Sequence, residues 1–204
     1  MAKALKFGGT SMANADSIRK VADIIRSDPE ARYVVVSAPG KREPSDTKVT
    51  DMLIALCNDP SADGKRRLLS EITGRFDGII DGLGLDLDLS ADYEAILGGE
   101  ESDSYDYIVS RGEYLSAKVL AALLGYEFVD AADIVRFGGD GRLDDDKTQR
   151  LASDRLRVAV KAVVPGFYGR GADGRIKTFS RGGSDVSGAI VAKAVGATVY
   201  ENWT

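Results

Sequence analysis

The stretch KALKFGGTSM, residues 3–12, starts as a short apolar strand and runs straight into Gly8-Gly9. Lys6 stands two places before the pair and Thr10-Ser11 just after it. Adjacent glycines let a backbone turn sharply and come close to something bulky. A lysine beside backbone N–H groups and hydroxyls suits an anion. The rest of the chain tells what kind of sheet this strand joins. After ALKF (4–7), Ile18, Val21, Ala22 and Ile25 recur at helical spacing from about Asn14, and Asp28-Pro29 ends the helix. YVVVSA (33–38) follows as an unbroken apolar run, the pattern of a strand buried on both faces of a parallel sheet.

The alternation continues. A polar loop, PGKREPSDTK (39–48), carries two prolines and reads as mobile. Helical patterns lie near 48–58, 64–82 and 104–124, the last stopped by Gly125. YEFVD and DIVRF (126–137) read as short strands, a helix spans about 147–160, and KAVVPGFYG (161–169) and RIKTFS (175–180) read as strands. A helix from Gly183 to Val195 and a strand ATVYEN (197–202) complete the chain. Strands and helices in alternation imply an α/β fold with helices on both faces of the sheet. Ligands gather at the carboxyl ends of the strands in such sheets. Ser37, Gly166 and the loop after Gly9 all fall at strand ends, so three loops are expected to meet at one edge.

The totals set bounds. The 204 residues suffice for one domain with a real core, and 44% hydrophobic with 29% charged residues is ordinary for a globular protein. A net charge of −5 argues against nucleic acid or an anionic membrane as partner, so an anion site must be a local cluster of positive groups. Cys57, in DMLIALCND, is the one cysteine; it excludes an internal disulfide and reads as core packing. There is no histidine, which removes Ser-His-Asp and Cys-His catalysis and the usual zinc sites. No signal peptide or membrane-length apolar run occurs, so the cytosol is the default compartment.

A second glycine pair, in SRGGSD (180–185), follows a strand and opens a helix. Free N–H groups at a helix N-terminus, aided by the helix dipole, can meet an anion. Equally, Ser184 and Asp185 can simply cap the helix. Beside the Gly-Gly loop that carries Lys6, the two readings stand level. GRGADG (169–174) fits G-x-G-x-x-G, but an apolar strand follows where a helix is required, so it reads as a hairpin turn. DLDLSAD (86–92) lacks the glycine and closing glutamate of a calcium loop and reads as a solvated turn and helix cap. Asp144-Asp145-Asp146 reads as a solvated turn, and no Walker phosphate loop occurs.

KFGGTS, VVVSA, RGEYLSAKVL, VVPGF and SRGGSDVSG come in the order and character of the aspartate kinases of the amino acid kinase superfamily. The resemblance covers essentially the whole chain, and KFGGTS joined to RGGSD is its most specific part. It implies a three-layer αβα sandwich with a mainly parallel sheet. It also implies ATP-dependent phosphorylation of the side-chain carboxylate of L-aspartate, opening the route to lysine, threonine and methionine. Mg²⁺ would be carried by the nucleotide. A carboxylate nucleophile is already ionised at neutral pH, so the missing histidines cease to be a difficulty. What remains is to align two anions and offset their repulsion.

The resemblance also implies roles. Lys6 neutralises the transferring phosphate and, with Asp185, forms the catalytic pair. Gly8 and Gly9 supply N–H donors to phosphate, and Thr10, Ser11, Gly182, Gly183 and Thr204 join them around the phosphates. Ser37, Thr47, Ser184 and Asp185 approach the substrate. Glu113 pairs with the α-amino group of aspartate and Arg181 with its α-carboxylate, a guanidinium fork suiting a carboxylate. For Glu113 the residues alone read as a solvated helix face. Family members continue past ENWT with the rest of the nucleotide site and regulatory ACT domains, and commonly form homodimers. Residues 1–204 are therefore expected to be a catalytic domain truncated at its carboxyl end and inactive, or nearly so, alone. The rivals are a kinase of glutamate or N-acetylglutamate and a non-catalytic domain that binds an acidic ligand.

Overall fold

In the computed structural model of the protein, residues 2–180 and 182–204 are described. The first half runs β1 (Lys3–Phe7), α1 (Ala15–Ser27), β2 (Ala31–Val36), α2 (Val49–Asn58), α3 (Ala62–Leu83), α4 (Ser90–Gly98) and α5 (Tyr105–Leu124). The second runs β3 (Glu127–Phe128), α6 (Ala131–Ile134), α7 (Asp145–Ala159), β4 (Ala162–Pro165), β5 (Tyr168–Arg170), β6 (Ile176–Thr178), α8 (Gly183–Ala194) and β7 (Val199–Trp203). Among the described residues five strands form a parallel sheet in the order β3-β4-β2-β1-β7. β5 and β6 form a separate antiparallel pair.

Side-chain alternation on the strands builds two cores. Leu5, Phe7, Val34, Val36 and Val163 face a layer of α1 to α5, while Ala4, Val35, Ala162 and Val164 face α6 to α8. This is the three-layer arrangement, with β2 buried along both faces as an unbroken apolar run requires. Each large apolar side chain so buried contributes roughly 1.5–3 kcal/mol. Helix ends follow local chemistry. Asn14 caps α1 by accepting from Ser17 N–H at 2.9 Å, and Ser104 caps α5 through Tyr107 N–H at 3.3 Å. Gly125 ends α5 in the left-handed region at φ 67°, as its position in the sequence suggests. Among the described residues no helix is long and apolar enough to cross a membrane.

Four expectations change in detail. DIVRF is not a strand: Asp130 accepts from Ala132 N–H at 2.9 Å, starting the short helix α6, and only Arg136 and Phe137 make isolated bridges. KAVVPGFYG is not continuous either. The main chain turns at Gly166-Phe167, where Phe167 takes φ 80°, and β5 leaves the sheet to pair with β6 across the GRGADG hairpin. Asp144 caps α7 by accepting from Lys147 N–H, so the acidic run is a helix start, with Asp145 and Asp146 suited to the positive end of the dipole. The loop 39–48 is tied down, not free. Arg42 grips Asp46 through Nε and Nη2 at 2.8 and 2.9 Å, and the buried Arg75 reaches the same carboxylate at 2.8 Å. Cys57 packs half-buried against the α1 to α5 core.

Candidate active site

The carboxyl ends of the parallel strands are stitched together beyond the strands themselves. Gly8 N–H donates to Trp203 O at 2.9 Å, Ser37 N–H to Phe7 O at 3.1 Å, and Gly166 N–H to Val36 O at 2.9 Å. The loops after β1, β2 and β4 therefore meet the carboxyl end of β7 on one edge. The N-terminus of α8 is brought onto the same edge by a close approach at Gly166, where an added Cβ would lie 2.8 Å from Ser184 Cα. The Gly8 bond also corrects one expectation. Its N–H is already donated to Trp203, and a Cβ there would sit 3.6 Å from Lys6 Nζ, an ordinary contact distance.

Lys6 lies on the α8 face of β1, and its residue is 6% exposed. Burying an ammonium demands a partner, and Asp185, in the first turn of α8, supplies one: Lys6 Nζ stands 2.8 Å from Asp185 Oδ1. Asn202 Nδ2 donates to the same Oδ1 at 3.2 Å from β7. The two halves of the sequence signature, KFGG and RGGSD, thus form one ion pair between β1 and α8, with Asn202 of β7 bonded to it. Asp185 remains half-exposed, so this positive charge sits at the edge of the solvent.

Beside it is a cleft of about 320 Å³ whose wall includes Gly9, Thr10, Ser37, Gly40, Thr50 and Glu113. Gly9, on the cleft wall, directly follows Gly8, which lies beside the Lys6 ammonium. Glu113 is 5% exposed, and among the described residues its Oε2 has no hydrogen-bond partner. Burial pushes its carboxyl up to about 8 from an ordinary 4.5, the N–H groups of Ala38 and Glu113 and the charge of Arg111 offsetting only part of that. Gly112 makes this placement possible by letting α5 touch the end of β2. An added Cβ would lie 2.7 Å from Ala38 Cβ and 3.3 Å from Leu53 Cδ1. Gly112→Ala is therefore expected to destabilise the fold by about 1–3 kcal/mol through overpacking, read as a lower melting temperature in thermal denaturation.

The profile of the amino acid kinase family matches residues 1–204. This chain belongs to the amino acid kinase family. It is 36% identical to aspartokinase 3 of Bacillus subtilis over 219 residues, covering 99% of this chain and 48% of that protein. The aspartate kinase of Clostridium acetobutylicum superposes with a TM-score of 0.93 at 40% identity, covering all of this chain and 47% of that one. Aspartokinase III of Escherichia coli, solved with aspartate and ADP, gives a TM-score of 0.83 at 26% identity and is covered to 49%. The chain thus spans about half the length of the relatives it matches.

In this amino acid kinase the remaining sequence candidates divide. Ser37 lines the Glu113 cleft and Thr10 borders it while also reaching a second cleft. Ser11 and Thr204 lie on that second cleft, of about 220 Å³, with Phe7 and Trp203. Thr47 lies elsewhere. It faces a separate cleft with Arg42, Asp46 and Arg75, because the loop turns its side away from Glu113; Thr50, one helical turn on, occupies the Glu113 wall. Gly182 caps α8 at φ 60°, Gly183 is buried against Phe167, and Ser184 sits over Gly166. Arg181 lies outside the described residues. Sequence reasoning missed Lys41, Lys48 and Thr50 on the cleft and Asn202 at the ion pair.

Proposed function

We propose that the protein transfers the γ-phosphoryl group of ATP to the side-chain carboxylate of L-aspartate, giving 4-phospho-L-aspartate. The observation that carries this reading is the buried Glu113, its Oε2 without a partner among the described residues, on a cleft lined by Gly9, the residue after the glycine that lies beside Lys6. A buried carboxylate without a partner is suited to an ammonium group. Lys41 and Lys48 on the same wall suit carboxylates. An acidic amino acid carries both kinds of charge. Glu113 takes its α-ammonium and Arg181 keeps the α-carboxylate role that the resemblance gives it. The side-chain carboxylate then points to the Gly8–Thr10 turn and Lys6.

The residues fit a nucleotide's phosphates. The Gly8–Gly9 turn runs beside the Lys6 ammonium, so phosphate oxygens at the turn would meet that positive charge. Bound ATP supplies the phosphoryl donor. Lys6 holds positive charge where negative charge shifts between donor and acceptor, and Asp185 fixes the ammonium in place. No proton has to be removed from the acceptor. Mg²⁺ is proposed to arrive with the nucleotide.

By this reading residues 1–204 are the acceptor part of a kinase catalytic domain acting in the cytoplasm on the route to lysine, threonine and methionine. The span alone is expected to bind aspartate and turn over slowly or not at all. The test is hydroxylamine trapping of the acyl phosphate from Mg-ATP with L-aspartate, L-glutamate or N-acetyl-L-glutamate. It is run on this chain and on a form of the relatives' full length. Aspartate-dependent hydroxamate in the longer form supports the reading, and a preference for either other acid replaces the substrate. No turnover in both, with aspartate still bound in calorimetry, favours a binding domain without catalysis.

A further inference from the structure

Arg75 is a charged residue on the core-facing stripe of α3, between Ile72 and Phe76 on one side and Ile79 and Ile80 on the other. Its side chain is 4% exposed. Three acceptors on two segments receive its guanidinium. Nε donates to Ala13 O at 3.3 Å, Nη2 to Gly40 O at 2.5 Å and Nη1 to Asp46 Oδ2 at 2.8 Å. Gly40 in turn donates its N–H to Gly9 O at 2.8 Å. The chain from Pro39 to Lys48 has no helix or strand of its own, yet Gly40, Lys41 and Lys48 line the Glu113 cleft. Stability alone is a weak reason for this arginine, since well-packed apolar residues often replace a buried ion pair without loss.

We propose that Arg75 is a positioning residue for the acceptor cleft: its guanidinium clamps residues 40–46 to the Gly9–Ala13 turn and so fixes the wall facing Glu113. This rests on the reading of that cleft as the acceptor site. A fork with three donors in fixed directions suits the task; the single ammonium of a lysine cannot meet three carbonyl and carboxylate acceptors in these directions. Arg75 touches no reacting group, so it acts through the loop.

The experiment compares the wild-type chain with Arg75→Lys, Asp46→Asn and the core control Phe76→Leu. L-Aspartate binding is followed by calorimetry and amide hydrogen exchange is followed across the chain. The expected result for Arg75→Lys and for Asp46→Asn is aspartate affinity weaker by about tenfold or more, with faster exchange confined to residues 39–48. Phe76→Leu lowers the melting temperature and leaves both readouts unchanged. Asp46→Asn approaches the clamp from the other side should Arg75→Lys fold poorly. Wild-type affinity in both variants, or unchanged exchange in 39–48, overturns the proposal. If the wild-type chain itself binds no L-aspartate, the acceptor reading fails. The exchange comparison then still decides the clamp: faster exchange in the loop supports it and unchanged exchange overturns it.

Discussion

A Glu113→Gln variant is expected to bind L-aspartate about a hundredfold more weakly than the wild-type chain and yet to be more stable in mildly alkaline solution. Both effects come from one buried carboxyl. Because it is buried, the folded chain holds its proton up to about pH 8, whereas its ordinary value is 4.5. Between those values the folded state carries a proton that the unfolded state has released. Stability therefore falls as pH rises through this window and levels off above it; below it there is no penalty. Glutamine does not titrate, so the stability gap in its favour grows with pH to the order of a few kcal/mol. Melting temperatures of the two proteins from about pH 4 to about pH 9 check this. Parallel curves would mean that the folded carboxyl is already ionised. Binding has its own signature. An arriving ammonium displaces the proton, so near neutral pH aspartate binding should release up to one proton. Calorimetry in two buffers of different ionisation enthalpy measures it.

Lys6→Ala is expected to lower phosphoryl transfer by about 10²–10³-fold, the usual loss when one preorganised charge facing the reacting group is removed. The effect on aspartate affinity should be small. The measurement is hydroxamate formation in the relatives-length form, beside calorimetry on the 204-residue chain. Equal loss of binding and turnover would assign Lys6 to the acceptor instead. The partner substitution gives a contrast. Removing Lys6 leaves Asp185 at 55% side-chain exposure, where water solvates it; removing Asp185 leaves Lys6 at 8% with no carboxylate beside it. Asp185→Ala should therefore destabilise the chain more than Lys6→Ala, because an unpaired buried ammonium is the costlier remnant.

The parallel sheet, its layers and most helix ends could be read from residue order, because strand burial and capping are local. The meeting of strand ends at Gly8, Ser37 and Gly166 could be read for the same reason. Side chains reaching the cleft from the 39–48 loop could not. Thr47 and Thr50 differ only in how the loop enters α2, and nothing local to either residue sets that. Phe167 turned the chain out of the sheet at a position where VVPGFYG offers an even apolar run. Glu113 resisted reading because α5 is buried around most of its circumference, leaving no polar face against which a misplaced charge would stand out. Arg75 did leave a trace. Positions 72, 75, 76, 79 and 80 form an apolar stripe in which one member is a guanidinium, and that irregularity marks a buried polar contact.

The order of strands also bears on how the molecule comes into being. β1 lies far from β7 in sequence, yet one of its edges pairs with it, joining Lys3 to Val199 in register. During synthesis β1 can find β2 early, yet its second edge stays open until Val199–Trp203 has emerged. Pairings so distant in sequence form slowly and leave sticky edges exposed meanwhile. Asn202 reaches Asp185 and Lys6 only when β7 docks, so the charged cluster is completed late. A nascent chain halted before β7 would already hold Asp185 on α8, but it would lack Asn202 and leave one edge of β1 unpaired.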